Sequence, residues 1–128
     1  MALDTSISVL VVDDSPTIVH LISDLLRKIG FKDVDGVHGG TTALPNMKIR
    51  GYGLVISDWH MEPMNGLELL QKVRSDPALD KIPFLFVTTE ARQRNVIDAV
   101  EGGANNLIVK PFDMSLLKAK IEAIFGGK

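Results

Sequence analysis

The chain has 128 residues, 45% hydrophobic and 23% charged, with 14 Lys+Arg against 16 Asp+Glu and a formal net charge of -2. That length suits one domain with its own core, so residues 1–128 are read as a single domain with no output module. The near-neutral charge argues against nucleic acid as a partner, the lack of cysteine excludes thiolate metal sites, thiol catalysis and a disulfide scaffold, and no apolar run approaches the roughly 18–20 residues of a membrane span. Met1 to Ser6 have neither a basic start nor a long apolar core, so no signal peptide is read and a cytoplasmic location is expected.

Ile7 to Val12 is a short β-branched apolar run ending at Asp13-Asp14, which reads as a buried strand. Ser15 then suits a helix cap and Pro16 the first helical position. Ile18, Leu21, Ile22, Leu25, Leu26 and Ile29 keep helical spacing up to a stop at Gly30. The alternation continues. Lys32 to Val37 reads as a weaker strand, and Thr42 to Ile49 as a helix with Pro45 near its start. Gly53 to Ser57 is a buried strand before Asp58, and Leu67 to Arg74 a helix. Ile82 to Val87 is a strand before Thr88, and Arg92 to Glu101 a helix stopped by Gly102-Gly103. Asn106 to Val109 is a strand before Lys110-Pro111. Asp113 caps a last helix with Leu117, Ile121 and Ile124 on one stripe.

Alternating strands and helices call for parallel strands joined by right-handed crossovers. The expected fold class is α/β: a flavodoxin-like, doubly wound (βα)5 arrangement in three αβα layers. Its five parallel strands should run in the order 2-1-3-4-5.

Ligands of such sheets bind outside the carboxyl ends of the strands, at the switch point. Those ends carry Asp13 and Asp14, Asp58, Thr88 and Lys110. Each has an ordinary reading alone: a helix cap, a loop cap, a strand end, a solvated surface charge. Together they bring carboxylates, a hydroxyl and an ammonium to one crevice. Clustered carboxylates repel one another and call for a cation, and hard oxygen ligands suit Mg2+. The set reads as a phosphoryl site with its own nucleophile, a carboxylate forming an aspartyl phosphate while metal and lysine neutralise charge. His20, His38 and His60 lack metal-ligand spacing and read as structural or surface residues. Trp59 is expected to pack beside the site.

The same residues carry a family resemblance. Val11-Val12-Asp13-Asp14-Ser15, Ser57-Asp58-Trp59-His60-Met61, Met64-Asn65-Gly66-Leu67-Glu68, Val87-Thr88-Thr89-Glu90-Ala91 and Val109-Lys110-Pro111-Phe112 occur in order. With Thr41 to Pro45, they make the chain, from about Val9 to Phe125, resemble bacterial two-component receiver domains of the CheY-like, single-domain kind. The resemblance implies that Asp58 accepts a phosphoryl group from a phosphohistidine on a CheA-like sensor histidine kinase. It implies Mg2+ held by Asp14, Asp58 and the His60 backbone carbonyl, with Asp13 nearby or acting through water. Thr88 would bond the phosphoryl group and Lys110 would pair with it. His60 and Glu90, two residues past Asp58 and Thr88, would tune phosphate loss, with Thr89 alongside. Phosphorylation would shift a population between two states, read out on the face of helix 4, strand 5 and helix 5. The protein itself is then a phosphoacceptor, not an enzyme acting on other substrates, and a monomer is expected.

The chain departs from that pattern in several places. Glu62 stands between Met61 and Pro63, which displaces the usual proline by one place and adds a negative charge. Leu107 occupies the switch and output position where an aromatic is common. Val19 and His20 replace basic residues early in helix 1, and His60 replaces a more usual Asn. The downstream partner can be a flagellar motor switch protein or a histidine phosphotransfer protein, and a phosphate sink is a third role. A pseudo-receiver would fold without taking phosphate. A haloacid-dehalogenase-type phosphatase fits less well, because the Asp-x-Asp spacing fails at Asp13-Asp14-Ser15 and no cap domain fits. A flavodoxin-type electron carrier would place Asp13-Asp14 against the flavin phosphate.

Overall fold

The computed structural model describes residues 3–89 and 93–126. Elements alternate as β1 (Ser8–Val12), α1 (Pro16–Ile29), β2 (Asp33–Val37), α2 (Gly40–Ile49), β3 (Leu54–Asp58), α3 (Gly66–Ser75), β4 (Phe84–Thr88), α4 (Gln93–Gly102), β5 (Asn106–Val109) and α5 (Met114–Gly126). All strands pair in parallel, in the expected order β2-β1-β3-β4-β5. Among the described residues, no helix is long and apolar enough to cross a membrane.

Strand side chains point to alternate faces, and here both faces are covered. Leu10, Val12, Val55, Phe84 and Phe86 belong to one core cluster, with Ala43 and Met47 of α2, Leu69, Leu70 and Val73 of α3 and Ala99 of α4. Val9, Val11, Leu54, Ile56, Leu85, Val87 and Ile108 belong to the other, with Val19, Ile22 and Leu26 of α1 and Leu117 and Ile121 of α5. Each fully buried aliphatic or aromatic side chain contributes about 1.5–3 kcal/mol, so the two layers hold the strand ends in fixed relation.

Helix ends follow the sequence signals. Ser15 Oγ accepts from the Ile18 N–H, Pro16 opens α1, and the Gly30 N–H closes it on Leu26 O. Asp113 caps α5 by accepting from the Leu116 N–H at 2.9 Å. The expected start of the second helix needs correction, and the fourth strand begins at Phe84, not Ile82. Helix α2 begins at Gly40, before Thr42, so Pro45 lies inside the helix instead of near its start. Gly39 O accepts from both Thr42 and Ala43 N–H groups, and that early turn lengthens the helix on its N-terminal side.

Candidate functional site

β1, β3, β4 and β5 are successive neighbours from β1 outward, so their carboxyl ends face one crevice. β3 ends on Asp58 and β4 on Thr88, each a residue later than the apolar runs suggest. Asp58 pairs in register with Val87, and Thr88 with Val109. Thr88 is fully buried, and its carbonyl accepts from the Lys110 N–H at 2.7 Å. That bond fixes where the β5 chain turns and so where the Lys110 side chain starts.

Asp13 is 2% exposed and already partnered. Its Oδ1 accepts from the Ser15 N–H at 2.9 Å, and its Oδ2 lies 3.3 Å from Lys110 Nζ. Asp58 is 8% exposed. Its Oδ1 accepts from the Trp59 N–H at 2.9 Å and lies 3.5 Å from the same Nζ. Lys110 therefore bridges two carboxylates, one just past β1 and one at the end of β3. Asp14 is exposed, yet oxygens of Asp13, Asp14 and Asp58 all lie within 4.8 Å of one another. Burial holds the Asp58 carboxyl above its ordinary 3.8, and the Asp13 charge adds to the rise; Lys110 and the Trp59 N–H act the other way. The lysine only partly offsets burial and repulsion, so the crevice has the electrostatics of a cation site. Oxygen donors at this spacing fit a hard divalent ion such as Mg2+.

Beside this cluster, Asp14, Trp59, His60, Met61, Glu62 and Asn65 line an open groove of about 510 Å³. Trp59 is the wall expected from the sequence, its ring 4.7 Å from that of Phe86. His60 and Glu62 are exposed on the groove. Thr89 is exposed next to Thr88, while Glu90 lies outside the described residues. His20 and His38 are surface residues, His20 pairing with Asp24 at 3.2 Å. Leu107 is half-buried and packs on the core that holds Phe84 and Phe86, and it pairs with Phe86 across the strands. Exposed apolar side chains on the neighbouring elements include Val96, Ile97 and Val100 of α4 and Val109 of β5.

Three groups beside the carboxylates escape a reading of residue types. The Ser15 and Trp59 N–H groups orient the two buried carboxylates, and backbone donors leave no mark in the sequence. Gly66 abuts the Asp58–Trp59 peptide, a close approach that its place in the Met64–Glu68 segment does not itself reveal.

Comparisons with known proteins agree with this geometry. The family model described as "Response regulator receiver domain" matches residues 9–122. The chemotaxis protein CheY of Pseudomonas aeruginosa is 42% identical over 117 residues, covering 91% of this chain and 94% of that one. Chemotaxis protein CheY-3 of Vibrio cholerae is 38% identical over 123 residues, covering 96% and 95%. The solved structure of Vibrio cholerae CheY4 superposes with a TM-score of 0.87 at 29% identity, covering 93% of this chain and 98% of that one. With the strand order, the acidic cluster and the bridging lysine, these matches settle the identity: the chain belongs to the response regulator receiver domain family.

Proposed function

We propose that this chain is a stand-alone, CheY-like response regulator in which Asp58 is the phosphoacceptor. The observation that carries the reading is the Lys110 ammonium set between Asp13 and Asp58, with Asp14 completing a carboxylate cluster. An oxygen of Asp58 attacks phosphorus, the P–N bond of a phosphohistidine breaks, and the imidazole leaves with the electron pair. Asp14, Asp58 and the His60 carbonyl would hold Mg2+, which supplies positive charge to the transferring oxygens. Lys110 would pair with the phosphoryl group, and the Thr88 hydroxyl would donate to it. Asp13, held by the Ser15 N–H, keeps Lys110 over the crevice. His60 borders the groove through which water must approach, so it would tune phosphate loss, as would Glu90 and Thr89.

The donor is a CheA-like sensor histidine kinase, and the signal is a phosphorylation-dependent change in protein binding. The names of the relatives support chemotaxis as the setting, and a flagellar motor switch protein would be the target. The chain works in the cytoplasm as a monomeric single receiver domain, without nucleic acid. Leu107 favours a second role: it brings neither ring nor hydroxyl to the usual switch position, which suits a phosphate sink or a shuttle to a histidine phosphotransfer protein.

Incubation with acetyl phosphate and Mg2+, read by intact mass, tests the reading. One phosphoryl adduct is expected, absent in Asp58→Asn. Lys110→Ala should slow uptake by on the order of a hundredfold. No adduct in the native chain would identify a pseudo-receiver. Phosphorylation-dependent capture of a motor switch protein separates the first role from the second, where a histidine phosphotransfer protein discharges Asp58.

A further inference from the structure

Helix α3 begins unusually close to the phosphoacceptor strand. Gly66 is its first residue, and the Gly66 N–H donates to Trp59 O at 2.8 Å. A Cβ at Gly66 would overlap Asp58 O and would stand 2.8 Å from a Phe86 ring carbon and 3.0 Å from Trp59 Cα. On its other side, Asp58 O accepts from the Ser57 hydroxyl at 2.9 Å. The Asp58–Trp59 peptide is thus held between a buried hydroxyl and a helix start. The N–H of that same peptide donates to Asp58 Oδ1 at 2.9 Å. The carbonyl pressed by Gly66 and the N–H that aims the carboxylate belong to one rigid plane. Turning the plane to admit a side chain turns the carboxylate with it.

We propose that Gly66 is a positioning residue for Asp58: its missing side chain lets α3 seat the Asp58–Trp59 peptide and so sets the direction of the Asp58 carboxylate. The proposal rests on the reading of Asp58 as phosphoacceptor. Leu69, Leu70 and Val73 of α3 are fully buried in the core against the sheet, so α3 resists moving away from an added methyl. The displacement falls instead on the peptide and its carboxylate. A misplacement on the order of 1 Å can cost roughly a hundredfold in rate.

The test compares Gly66→Ala with Gly39→Ala. Gly39 also stands at a helix start, but a Cβ there meets nothing within 4 Å. Trp59, the single tryptophan, lines the groove beside the carboxylates, so its fluorescence is the probe for titration with Mg2+. In Gly66→Ala, measured well below its unfolding temperature, Mg2+ affinity should fall several-fold and acetyl-phosphate uptake about tenfold or more. Gly39→Ala should match the native chain in both. Unchanged affinity and uptake in folded Gly66→Ala would overturn the proposal, as would equal losses in Gly39→Ala. If Gly66→Ala does not fold, Ser57→Ala decides, since it frees the same carbonyl with Gly66 intact. A drop in its Mg2+ affinity upholds the proposal, and native affinity overturns it. Lack of uptake by the native chain condemns the phosphoacceptor reading alone; the Mg2+ titration still judges Gly66.

Discussion

Asp58 is under tension as a residue: the role proposed for it needs a carboxylate where burial and Asp13 disfavour one. Its carboxyl in the folded protein sits above 3.8, so the folded state binds this proton more tightly than the unfolded chain. Below both values the group costs nothing. As pH rises through the window, the unfolded chain ionises first and stability is lost, a deficit that persists at neutral pH. Asp58→Asn should therefore raise the unfolding temperature at neutral pH in the presence of a chelator. The gain should shrink as pH falls toward 3.8; a gain independent of pH would contradict this account. The residues of the crevice were legible in the sequence because their types are improbable together at strand ends. Their partners were not. The ion pairs of Lys110 span the sheet, and residue 110 meets residue 13 only once β4 lies between β3 and β5. Leu107 shows the complementary limit: its substitution was visible, but its half-buried place against the Phe84 and Phe86 core was not.

At the scale of elements, packing is tight enough to make single methyl groups count. α1 crosses β2 so closely that a Cβ on Gly36 would overlap Val19 Cγ1. Gly36→Ala should destabilise the protein by about 1–3 kcal/mol, the usual cost of overpacking. Val19→Ala opens the space, so the double variant should lose less than the sum of the two single losses. Chemical denaturation of the four proteins measures that coupling; strict additivity would refute the contact. Sequence periodicity located every element because both sheet faces are apolar and the helices have regular stripes. It misplaced the start of α2 because Pro45 reads as a first-turn residue, while the bonds from Thr42 and Ala43 to Gly39 O begin the helix earlier. Strand ends were read a residue short because Asp58 and Thr88 are polar, yet both are buried in the ladder.

The whole molecule has two unlike ends. Opposite the crevice, Arg50 pairs with both Asp33 and Asp35 of the edge strand β2, and Ser8 Oγ donates to Asp33 at 2.6 Å. The Tyr52 hydroxyl donates to Asp35 at 2.6 Å, and the Arg50 guanidinium lies 5.4 Å from the Tyr52 ring centre. Burial first, then the bond to Asp35, pushes the Tyr52 hydroxyl up to about 12. Tyr52 is the sole tyrosine, so ultraviolet absorbance follows it alone. Its midpoint should stand near 12 in the folded protein; a midpoint at the ordinary 10 would dismiss the burial argument. Between those values the unfolded chain has lost a proton that the folded one keeps, so stability declines as pH rises across that window. Tyr52→Phe should flatten the decline.

The bridge from Lys110 to Asp13 also has a consequence in time. A ribosome makes Asp13 and Asp58 early and Lys110 some fifty residues after Asp58. Until β5 has emerged and paired with β4, the carboxylates lack the ammonium that stands between them. A growing chain would thus hold its carboxylates unneutralised, and only the folded molecule brings the ammonium between them.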